Sequence, residues 1–534
     1  MATTNNLTEF LADVADAIRE KTGESSPINP QDFSQKIKDI KSGGGEDVIF
    51  RDYDGTILHQ FSKSDFLALT ELPPLPEQSG LTCQGWNWDL QEAKEYVTEI
   101  GYLEIGATYI TDDGKTRIYV TIADRYKRTI NLYMTSGVTI EWGDGVIETT
   151  TKSQISHQYA EIGDYVISVY GDKSYTLGSG NSSYSIGGLA SSTSDEPGDG
   201  AMINRVEMGE NCKISGYTFQ CCVNLQSVAV CNGGIVENQP YIFHKCYSLK
   251  YIAIPRGSIA MSNYLFSNCY SLVAVSFPSS VTSVGTYVFE NCYQLETAFF
   301  PISLTTIPQY YLYGCQKLKR LTIPQTITKV DARGLYGVKK EYSLPDGLET
   351  MGIYAFTESA IKEFKPSHLT ELATNAFLKC YNLVHPKIAE GVTSISPYCF
   401  QRCFALTKID FPTTLTSIGN YAFSYCVGLT YINIPEGVTS IGERAFEYCK
   451  ALQSITLPST ITAINNYAIS YCKMLEVVDC SKLRSVPTLG TSAFTSSASN
   501  LQIIVADDMY DSFSSATNWS SYASKMVKLS EYNG

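Results

Sequence analysis

The sequence predicts a mainly β protein: a solenoid of about 12 repeats of about 23 residues, preceded by a small β-sandwich and a short helical N-terminal segment. Two recurring patterns support this prediction. Ten cysteines recur at separations of 23 or 24 residues, apart from one gap of 65. An apolar residue, usually Phe, stands three positions before each of them, and a Leu stands three positions after. A fixed period of this length indicates stacked repeats that share one continuous core.

Each repeat contains two extended stretches. The first follows the Leu and usually ends at a proline, as in segments 252–255 (IAIP) and 432–435 (INIP). Proline has no N–H to donate, so it suits the end of a strand. A second apolar pair follows, such as Val438 and Ile441. We expect successive repeats to stack as parallel strands about 4.8 Å apart.

The recurring cysteines are predicted to form a buried structural ladder. The alternative is a redox or metal-binding role, since neighbouring repeats would bring thiols within disulfide range. A regular ladder pairs no thiol uniquely, and a cytoplasm keeps thiols reduced, which favours the structural ladder. The predicted ladder consists of Cys246, Cys269, Cys292, Cys315, Cys380, Cys403, Cys426, Cys449 and Cys472.

The repeat unit F-x-x-C-x-x-L-x-x-I-x-I-P-x-x-V-T-x-I-G-x-x-A-F is clearest at 400–423 and 423–446. It resembles the BspA-like leucine-rich repeat, over about residues 211–505. The resemblance implies a curved solenoid used for binding rather than catalysis. Residues 506–534 resemble the cap that follows such repeats, and we expect Phe513, Trp519 and Tyr522 to close the end of the core.

The front of the chain is predicted to contain adapters. Residues 1–42 are predicted to form two short amphipathic helices that act as an attachment segment, and residues 46–115 an α/β adapter module. Segment 11–40 (LADVADAIREKTGESSPINPQDFSQKIKDI) resembles N-terminal segments of tail-associated proteins from bacteriophages and prophages of gut bacteria. Stretches 48–76 and 80–97 resemble a module from the same set of proteins. This resemblance implies a component of a virion.

Residues 116–178 are predicted to form a β-sandwich from short alternating runs. The turn 142–145 (WGDG), followed by His157 and Tyr159, resembles a PKD-like or immunoglobulin-like spacer, in which the glycines permit the tight turn and Asp144 bonds the local backbone. The alternative is that Asp144 and His157 form a metal-binding or catalytic pair.

Residues 179–210 are rich in Ser and Gly and are predicted to form a linker. Asp195, Glu196 and Asp199 could hold Ca²⁺ there, or simply form a solvated acidic loop.

Composition excludes several functions. The 54 acidic and 40 basic residues give a net charge of −14, which argues against nucleic-acid binding. No run of about 18 apolar residues predicts a membrane span, and the first residues lack a signal-peptide pattern. G-x-S-x-G, H-E-x-x-H, Walker and G-x-G-x-x-G motifs are absent, so we expect no enzyme activity, no cofactor and no metal.

Tyrosine provides the functional clue, with 37 residues in the chain. Many stand two positions before the Phe column, and others stand beside the Cys column. One interpretation is a recognition stripe whose rings stack on sugar faces and whose hydroxyls bond them; the other is stacking between repeats that rigidifies the solenoid. Both remain open. The candidate ligand-binding residues are Tyr241, Tyr264, Tyr287, Tyr310, Tyr354, Tyr398, Tyr421, Tyr467, Tyr425, Tyr448 and Tyr471.

These patterns favour a non-enzymatic phage tail or fibre protein, assembled in the bacterial host cytoplasm and acting at the host cell surface. Its solenoid is expected to bind a surface glycan or protein, and its N-terminal segment other virion proteins. The sequence leaves the oligomeric state open, and among homo-oligomers a trimer is favoured. The alternatives are a bacterial surface adhesin, a purely structural or decoration virion protein, and a tail-borne polysaccharide hydrolase.

Overall fold

The computed structural model describes residues 47–123, 128–135, 137–178, 202–236 and 238–532. The helices predicted in residues 1–42 lie outside the described residues, as do Asp195, Glu196 and Asp199. Within the described ranges the protein is mainly β, with few helices, and the predicted fold class is confirmed.

The first described unit is a four-stranded sheet with two helices, here named the front module (residues 47–111). Its strand order is β2-β1-β4-β3, with β1 and β4 parallel and the other pairs antiparallel. Asp89 caps the second helix, accepting a hydrogen bond from the Glu92 N–H, and Gly101 ends it in the left-handed conformation. The elements are β1 (Val48–Arg51), β2 (Ile57–Phe61), α1 (Lys63–Ala68), β3 (Leu81–Trp86), α2 (Leu90–Ile100) and β4 (Leu103–Thr111).

The second unit contains the strands expected of a small sandwich. These are β5 (Thr116–Ile122), β6 (Thr129–Tyr133), β7 (Val138–Glu141), β8 (Ile147–Thr150), β9 (Gln154–Gln158), β10 (Gly163–Tyr170) and β11 (Tyr175–Leu177). Strands β6 and β9 pair with each other. The larger sheet has six strands in the order β14-β12-β5-β10-β7-β8, where β12 is Ile203–Glu207 and β14 is Ser227–Ala229.

This six-stranded sheet corrects the linker prediction for residues 179–210. Residues 203–207 form strand β12, which pairs antiparallel with β5 and parallel with β14. Ile203, Val206 and Glu207 are buried in this strand, so it belongs to the folded core. The sandwich and the first solenoid turn therefore share one sheet.

The solenoid carries two rows of short parallel strands. The first row, which we call the strand face, contains β12, β14, β15 (Tyr251–Ala253), β17 (Ala274–Ser276), β24 (Tyr431–Asn433), β26 (Ser454–Thr456), β28 (Val477–Cys480), β30 (Gln502–Val505) and β31 (Met526–Lys528). The second row contains β13 (Cys212–Ile214), β16 (Ala260–Met261), β18 (Ser283–Val284), β19 (Thr306–Ile307), β20 (Lys329–Val330), β21 (Thr350–Met351), β22 (Ser394–Ile395), β23 (Ser417–Ile418), β25 (Ser440–Ile441), β27 (Ala463–Ile464) and β29 (Thr488–Leu489).

The solenoid has about 14 turns between residues near 205 and 528, rather than the 12 repeats expected. The extra turns lie at the two ends, where β12 and the pair β30–β31 extend the strand face. These end turns lack the Phe-Cys-Leu spacing, so the sequence period does not reveal them.

The end of the solenoid is closed by the last segment, which contains α3 (Tyr510–Ser515). The side chains of Phe513 and Trp519 are fully buried there, and the Trp519 indole N–H donates to the Pro487 carbonyl oxygen at 2.8 Å. The Tyr522 hydroxyl accepts from the Phe494 backbone N–H at 3.2 Å. Trp519, Phe513 and Tyr522 thus pack against the last turns and cover apolar surface that would otherwise be exposed.

The front module packs on the strand face of the first turns. Asn87 donates from its side-chain amide to the carbonyl oxygens of Ile254 and Ser276, at 2.9 and 3.1 Å. The Trp88 indole donates to the Phe277 carbonyl oxygen at 2.6 Å. Because these bonds satisfy buried backbone groups on the solenoid, the module is a fixed cover of those turns.

A buried ion pair lies at the same interface. The Arg51 Nε lies 2.8 Å from the Glu104 Oε2, and both side chains are at most 10% exposed. Gly106 lets the two surfaces approach, since a Cβ there would lie 2.5 Å from the Ala253 Cβ and from the Tyr251 hydroxyl. A side chain at residue 106 would therefore separate the module from the solenoid.

Candidate binding surface: the stacked tyrosine columns

The predicted tyrosines occupy an unusual backbone conformation. In the thirteen turns that carry the Phe column, the residue two positions before it has a φ between 53° and 62°, in the left-handed region. Left-handed backbone costs a residue with a Cβ about 1–2 kcal/mol. We call this set the first column: Tyr217, Tyr241, Tyr264, Tyr287, Tyr310, Arg333, Tyr354, Asn375, Tyr398, Tyr421, Arg444, Tyr467 and Ser492.

Hydrogen bonding between turns accounts for this conformation. In one turn, the backbone N–H groups of Tyr241, Phe243 and Lys245 donate to the next turn, at 3.1, 3.1 and 2.9 Å. The alternate N–H groups of His244 and Cys246 donate back within their own turn. Tyr241 and Lys245 both have positive φ. The segment alternates in this way because every second N–H must point along the solenoid axis.

The first column is a stack of aromatic rings. Ring centroids of Tyr241, Tyr264, Tyr287 and Tyr310 follow one another at 4.5, 4.4 and 4.4 Å, with interplanar angles of at most 14°. Tyr398 and Tyr421 stack in the same way at 4.9 Å. Such contacts stabilise a fold by about 0.5–1.5 kcal/mol each beyond area burial. Stacking therefore offsets much of the cost of the left-handed backbone.

At two of the column positions that lack tyrosine, arginine continues the stack. The Arg333 guanidinium lies 5.2 Å from the Tyr310 ring centroid and 4.6 Å from that of Tyr354. Arg444 lies 5.7 Å from the Tyr421 centroid and 4.9 Å from that of Tyr467. A planar guanidinium replaces a ring because it packs flat on an aromatic face. Neither arginine is among the predicted binding residues, although each lies 23 residues after a tyrosine of the column.

The structure assigns Tyr425, Tyr448 and Tyr471 to a second column, two positions after the Phe. Their rings stack at 4.5 and 4.6 Å, and the Arg402 guanidinium lies 5.4 Å from the Tyr425 centroid. All four residues have positive φ, as in the first column. The eleven candidate tyrosines therefore lie on two separate lines, eight in the first column and three in the second.

A third column stands one position after the Cys and was left out of the candidate set. Tyr270 is 37% exposed and Tyr293 41%, and their rings stack at 5.2 Å. Tyr381 and Phe404, exposed by 43% and 44%, stack at 5.0 Å. All the candidate tyrosines, by contrast, are half-buried.

The close spacing corrects one expectation. Ring centroids 4.4–5.0 Å apart leave no room for a sugar between neighbouring first-column rings. The rings inside a stack therefore offer their edges and hydroxyls rather than their faces. Burial and the neighbouring Tyr264 and Tyr310 raise the pKa of Tyr287 to about 12, so its hydroxyl remains protonated at neutral pH.

The predicted cysteine ladder is buried and regular. Each of its nine thiols donates a hydrogen bond to the carbonyl oxygen of the Phe in the preceding turn, with S···O distances of 2.9–3.3 Å. All the cysteines are free thiols. Burial raises the pKa of Cys380 and Cys472 to about 12. A buried neutral thiol is a poor nucleophile and metal ligand, which favours the structural interpretation.

The pair Asp144 and His157 also comes together. The His157 Nε2 lies 2.7 Å from the Asp144 Oδ2, and the His157 ring stacks on Trp142 at 4.6 Å. Asp144 also accepts from the Val146 backbone N–H at 3.1 Å, as expected for the turn. Hydrogen bonding to His157 lowers the pKa of Asp144, against the effect of burial. These contacts fix the turn on the sandwich.

Neither a metal cluster nor a membrane helix is found among the described residues. Across these ranges, His, Cys, Asp and Glu form no group of three that could hold a metal ion. In the same part of the chain, no helix is long and apolar enough to cross a bilayer.

The model of the BspA-type leucine-rich repeat region matches residues 212–340, 305–428 and 393–523. Together these matches cover residues 212–523, more than half of the chain. The chain belongs to the BspA-type leucine-rich repeat family. This agrees with the Phe-Cys-Leu columns, whose spacing defines the repeat.

Solved structures of other leucine-rich repeat proteins resemble this member of the family. A leucine-rich repeat protein from Bacteroides ovatus is 20% identical, with 67% of this chain and 96% of that chain covered and a TM-score of 0.50. A leucine-rich cell surface protein from Faecalibacterium prausnitzii is 22% identical, with 58% and 91% covered and a TM-score of 0.37. At these identities the likeness concerns the fold alone. The chain has no match among curated proteins.

Proposed function

We propose that this protein is a non-enzymatic binding protein whose solenoid binds a glycan or protein on a bacterial cell surface. The proposal is based on the tyrosine columns, in which partly exposed rings from successive turns form parallel rows along the solenoid. Tyrosine provides rigid, amphipathic contact area at a small entropic cost. Because the columns are already stacked, little side-chain freedom is lost on binding.

The position of the front module supports the same choice of surface. The module covers the strand face of the first turns, where Tyr251 and Ala253 are buried beneath it. The first column belongs to the turns and remains half-exposed. A ligand can therefore approach the columns without displacing the module.

The finer part of the proposal is that the protein is a bacteriophage tail or fibre component, attached through residues 1–42. The support is the resemblance of segment 11–40 and of the front module to tail-associated proteins. In this proposal the solenoid points toward the host cell. Detection of this chain in purified virions would support this assignment. Its detection in the bacterial cell envelope would support a surface adhesin instead.

The test is binding of the full chain to intact bacterial cells from a panel of gut species. Tyr398, Tyr421 and Tyr467 are replaced together by Asn, which tolerates the left-handed backbone and so preserves the turns. The matched control replaces Lys408, Thr430 and Gln453 by Ala. These exposed residues lie in the same repeats, next to the strand face and away from the tyrosine columns. Saturable, strain-restricted binding that the Asn variant loses and the control retains is the expected result. Equal binding by both variants contradicts the proposal.

A further inference from the structure

A cleft of about 540 Å³ lies where the front module, the sandwich and the first solenoid turn meet. Its volume is within the range of about 300–1,000 Å³ typical of small-molecule sites. Strands β5, β10, β12 and β14 form its floor, and the β1–β2 turn with Tyr53 and Asp54 forms one wall. It is separate from the tyrosine columns.

A β-bulge brings two consecutive polar residues into the cleft. The register between β12 and β5 shifts between Ile203 and Arg205, so Asn204 and Arg205 both line the site. The Asn204 side-chain amide donates to the Thr121 hydroxyl at 2.7 Å, and Thr121 donates to Asp164 at 2.6 Å. Bulges commonly redirect a side chain beside a functional site.

Arg205 is held in place against the floor of the cleft. Its guanidinium lies 3.9 Å from the Tyr119 ring centroid, and its Nε lies 3.5 Å from the Glu207 Oε1. The Tyr119 hydroxyl donates to the Glu207 Oε2 at 2.9 Å. The Arg205 side chain is still 40% exposed, so part of its donor fork faces the cleft. Stacking and the ion pair orient that fork in advance of any ligand.

The lining combines donors and acceptors around aromatic surface. Arg205 only donates, whereas the carboxylates of Asp54 and Asp164 only accept, and the exposed amide of Gln226 does both. A sugar hydroxyl both donates and accepts, so adjacent hydroxyls need such a mixture. The cleft contains the carboxylates of Asp54 and Asp164 and one guanidinium, that of Arg205, which already lies next to Glu207. This charge balance disfavours the binding of an anionic ligand.

We propose that this cleft binds an uncharged saccharide chain, held by Arg205, Asp164 and Gln226 at the junction of the three units. The site goes beyond the tyrosine columns and does not depend on them. All three units are joined by one continuous buried core, so the cleft is formed before the ligand arrives. Preorganisation of this kind increases affinity because little is ordered on binding.

The test uses the full chain with maltohexaose, cellohexaose and chitohexaose as neutral probes and dextran sulfate as an anionic probe. Binding is detected by saturation-transfer NMR and quantified by calorimetry. We expect at least one neutral probe to bind. The double variant Asp164→Ala/Gln226→Ala should weaken that binding by about tenfold or more, because each residue loses a hydrogen bond to the sugar. Arg205→Lys should weaken it by a similar factor, since lysine has no fork and stacks poorly.

The matched control is Asp508→Ala/Gln453→Ala, which removes the same two residue types from exposed positions outside the cleft. It should bind like the unmodified chain. The Asn variant of Tyr398, Tyr421 and Tyr467 forms a separate arm: loss of saccharide binding there, with the cleft variants unaffected, would support the columns and overturn the cleft. Absence of binding by every neutral probe, or preference for dextran sulfate, would also overturn it.

Discussion

The left-handed conformation at Tyr421 makes a prediction that separates this fold from ordinary repeats. At most positions alanine is more stabilising than glycine, because glycine loses more backbone freedom on folding. At Tyr421, with φ of 58°, the order should be reversed. We therefore compare Tyr421→Gly with Tyr421→Ala, and use the exposed turn residue Lys450, which has no positive φ, as the control position.

The expected magnitudes follow from the contacts. Both variants lose the stack on Tyr398 at 4.9 Å, worth about 0.5–1.5 kcal/mol, and the contact with Arg444, worth about 0.5–1 kcal/mol. Only glycine also relieves the left-handed strain of about 1–2 kcal/mol, less its own entropic cost of about 0.5–1 kcal/mol. The free energy of unfolding of the glycine variant should thus be about 0.5–1 kcal/mol higher than that of the alanine variant at residue 421. At residue 450 it should be lower by a similar amount.

The assay is equilibrium urea unfolding of the full chain, followed by circular dichroism. A long repeat array need not unfold in one step, so midpoints are compared only between variants with equal slopes. The informative quantity is the glycine–alanine difference at each position, in which contributions shared by both variants cancel. If alanine is as stabilising as glycine at 421, the left-handed turn is wrong, and with it the explanation of the first column.

Three further predictions concern the core, the interface and the tyrosines. A thiol reagent should react rapidly with no more than the half-buried Cys83 in the native protein and with all sixteen thiols in urea, and rapid reaction of several native thiols would refute the buried ladder. Arg51→Met should destabilise the fold by about 3–5 kcal/mol by leaving Glu104 unpaired, and Glu104→Leu added to it should restore most of the loss in a double-mutant cycle. Because the pKa of Tyr287 is raised to about 12 by burial, its contribution to stability is complete below about pH 10 and lost as pH rises through 12. A Tyr287→Phe variant should therefore show a smaller alkaline loss in a tyrosinate absorbance and unfolding titration.

The repeat could be predicted because its core residues recur at a fixed spacing. Phe400, Phe423 and Phe446 stack in line at 5.3 and 5.2 Å, so the apolar period of the sequence is directly the period of the core. The buried positions of the thiols could be predicted for the same reason, since the cysteines share the period of the Phe column. The end turns could not be counted, because β12 and β31 are recruited by strand pairing and carry no Phe-Cys-Leu spacing.

The conformation of the columns was beyond sequence reasoning. Tyrosine has no preference for a left-handed backbone, and only the demand for hydrogen bonds between turns imposes it. The positions of Arg333 and Arg444 in the first column could have been predicted from the sequence, since both fall on the column spacing. Their stacking role becomes visible only once the rings on either side are known to lie parallel.

The repeats beneath the front module carry a sequence signal for its docking. At the last position of each strand, the residues beneath the module are small, namely Ala253 and Ser276, whereas the uncovered strand β24 ends with the exposed Asn433. A change from small to polar residues at this last position therefore indicates where a second unit covers the solenoid. The first strand position has no such signal, since Tyr251 is buried beneath the module and the equivalent Tyr431 is exposed. The same comparison also predicts that a truncated solenoid beginning near residue 211 would expose this patch.

The two binding surfaces differ in what they can recognise. In the columns the interior rings are covered on both faces by their neighbours, so a ligand meets a regular series of hydroxyls and ring edges, with guanidinium groups at Arg333 and Arg444. Such a series suits a long, repetitive partner that makes many weak contacts. The cleft instead gathers Arg205, Asp164 and Gln226 around one open depression and suits a few precisely placed sugar residues. Saccharides that bind only the cleft should therefore saturate at one site per chain, whereas a polymer bound by the columns should gain affinity with its length.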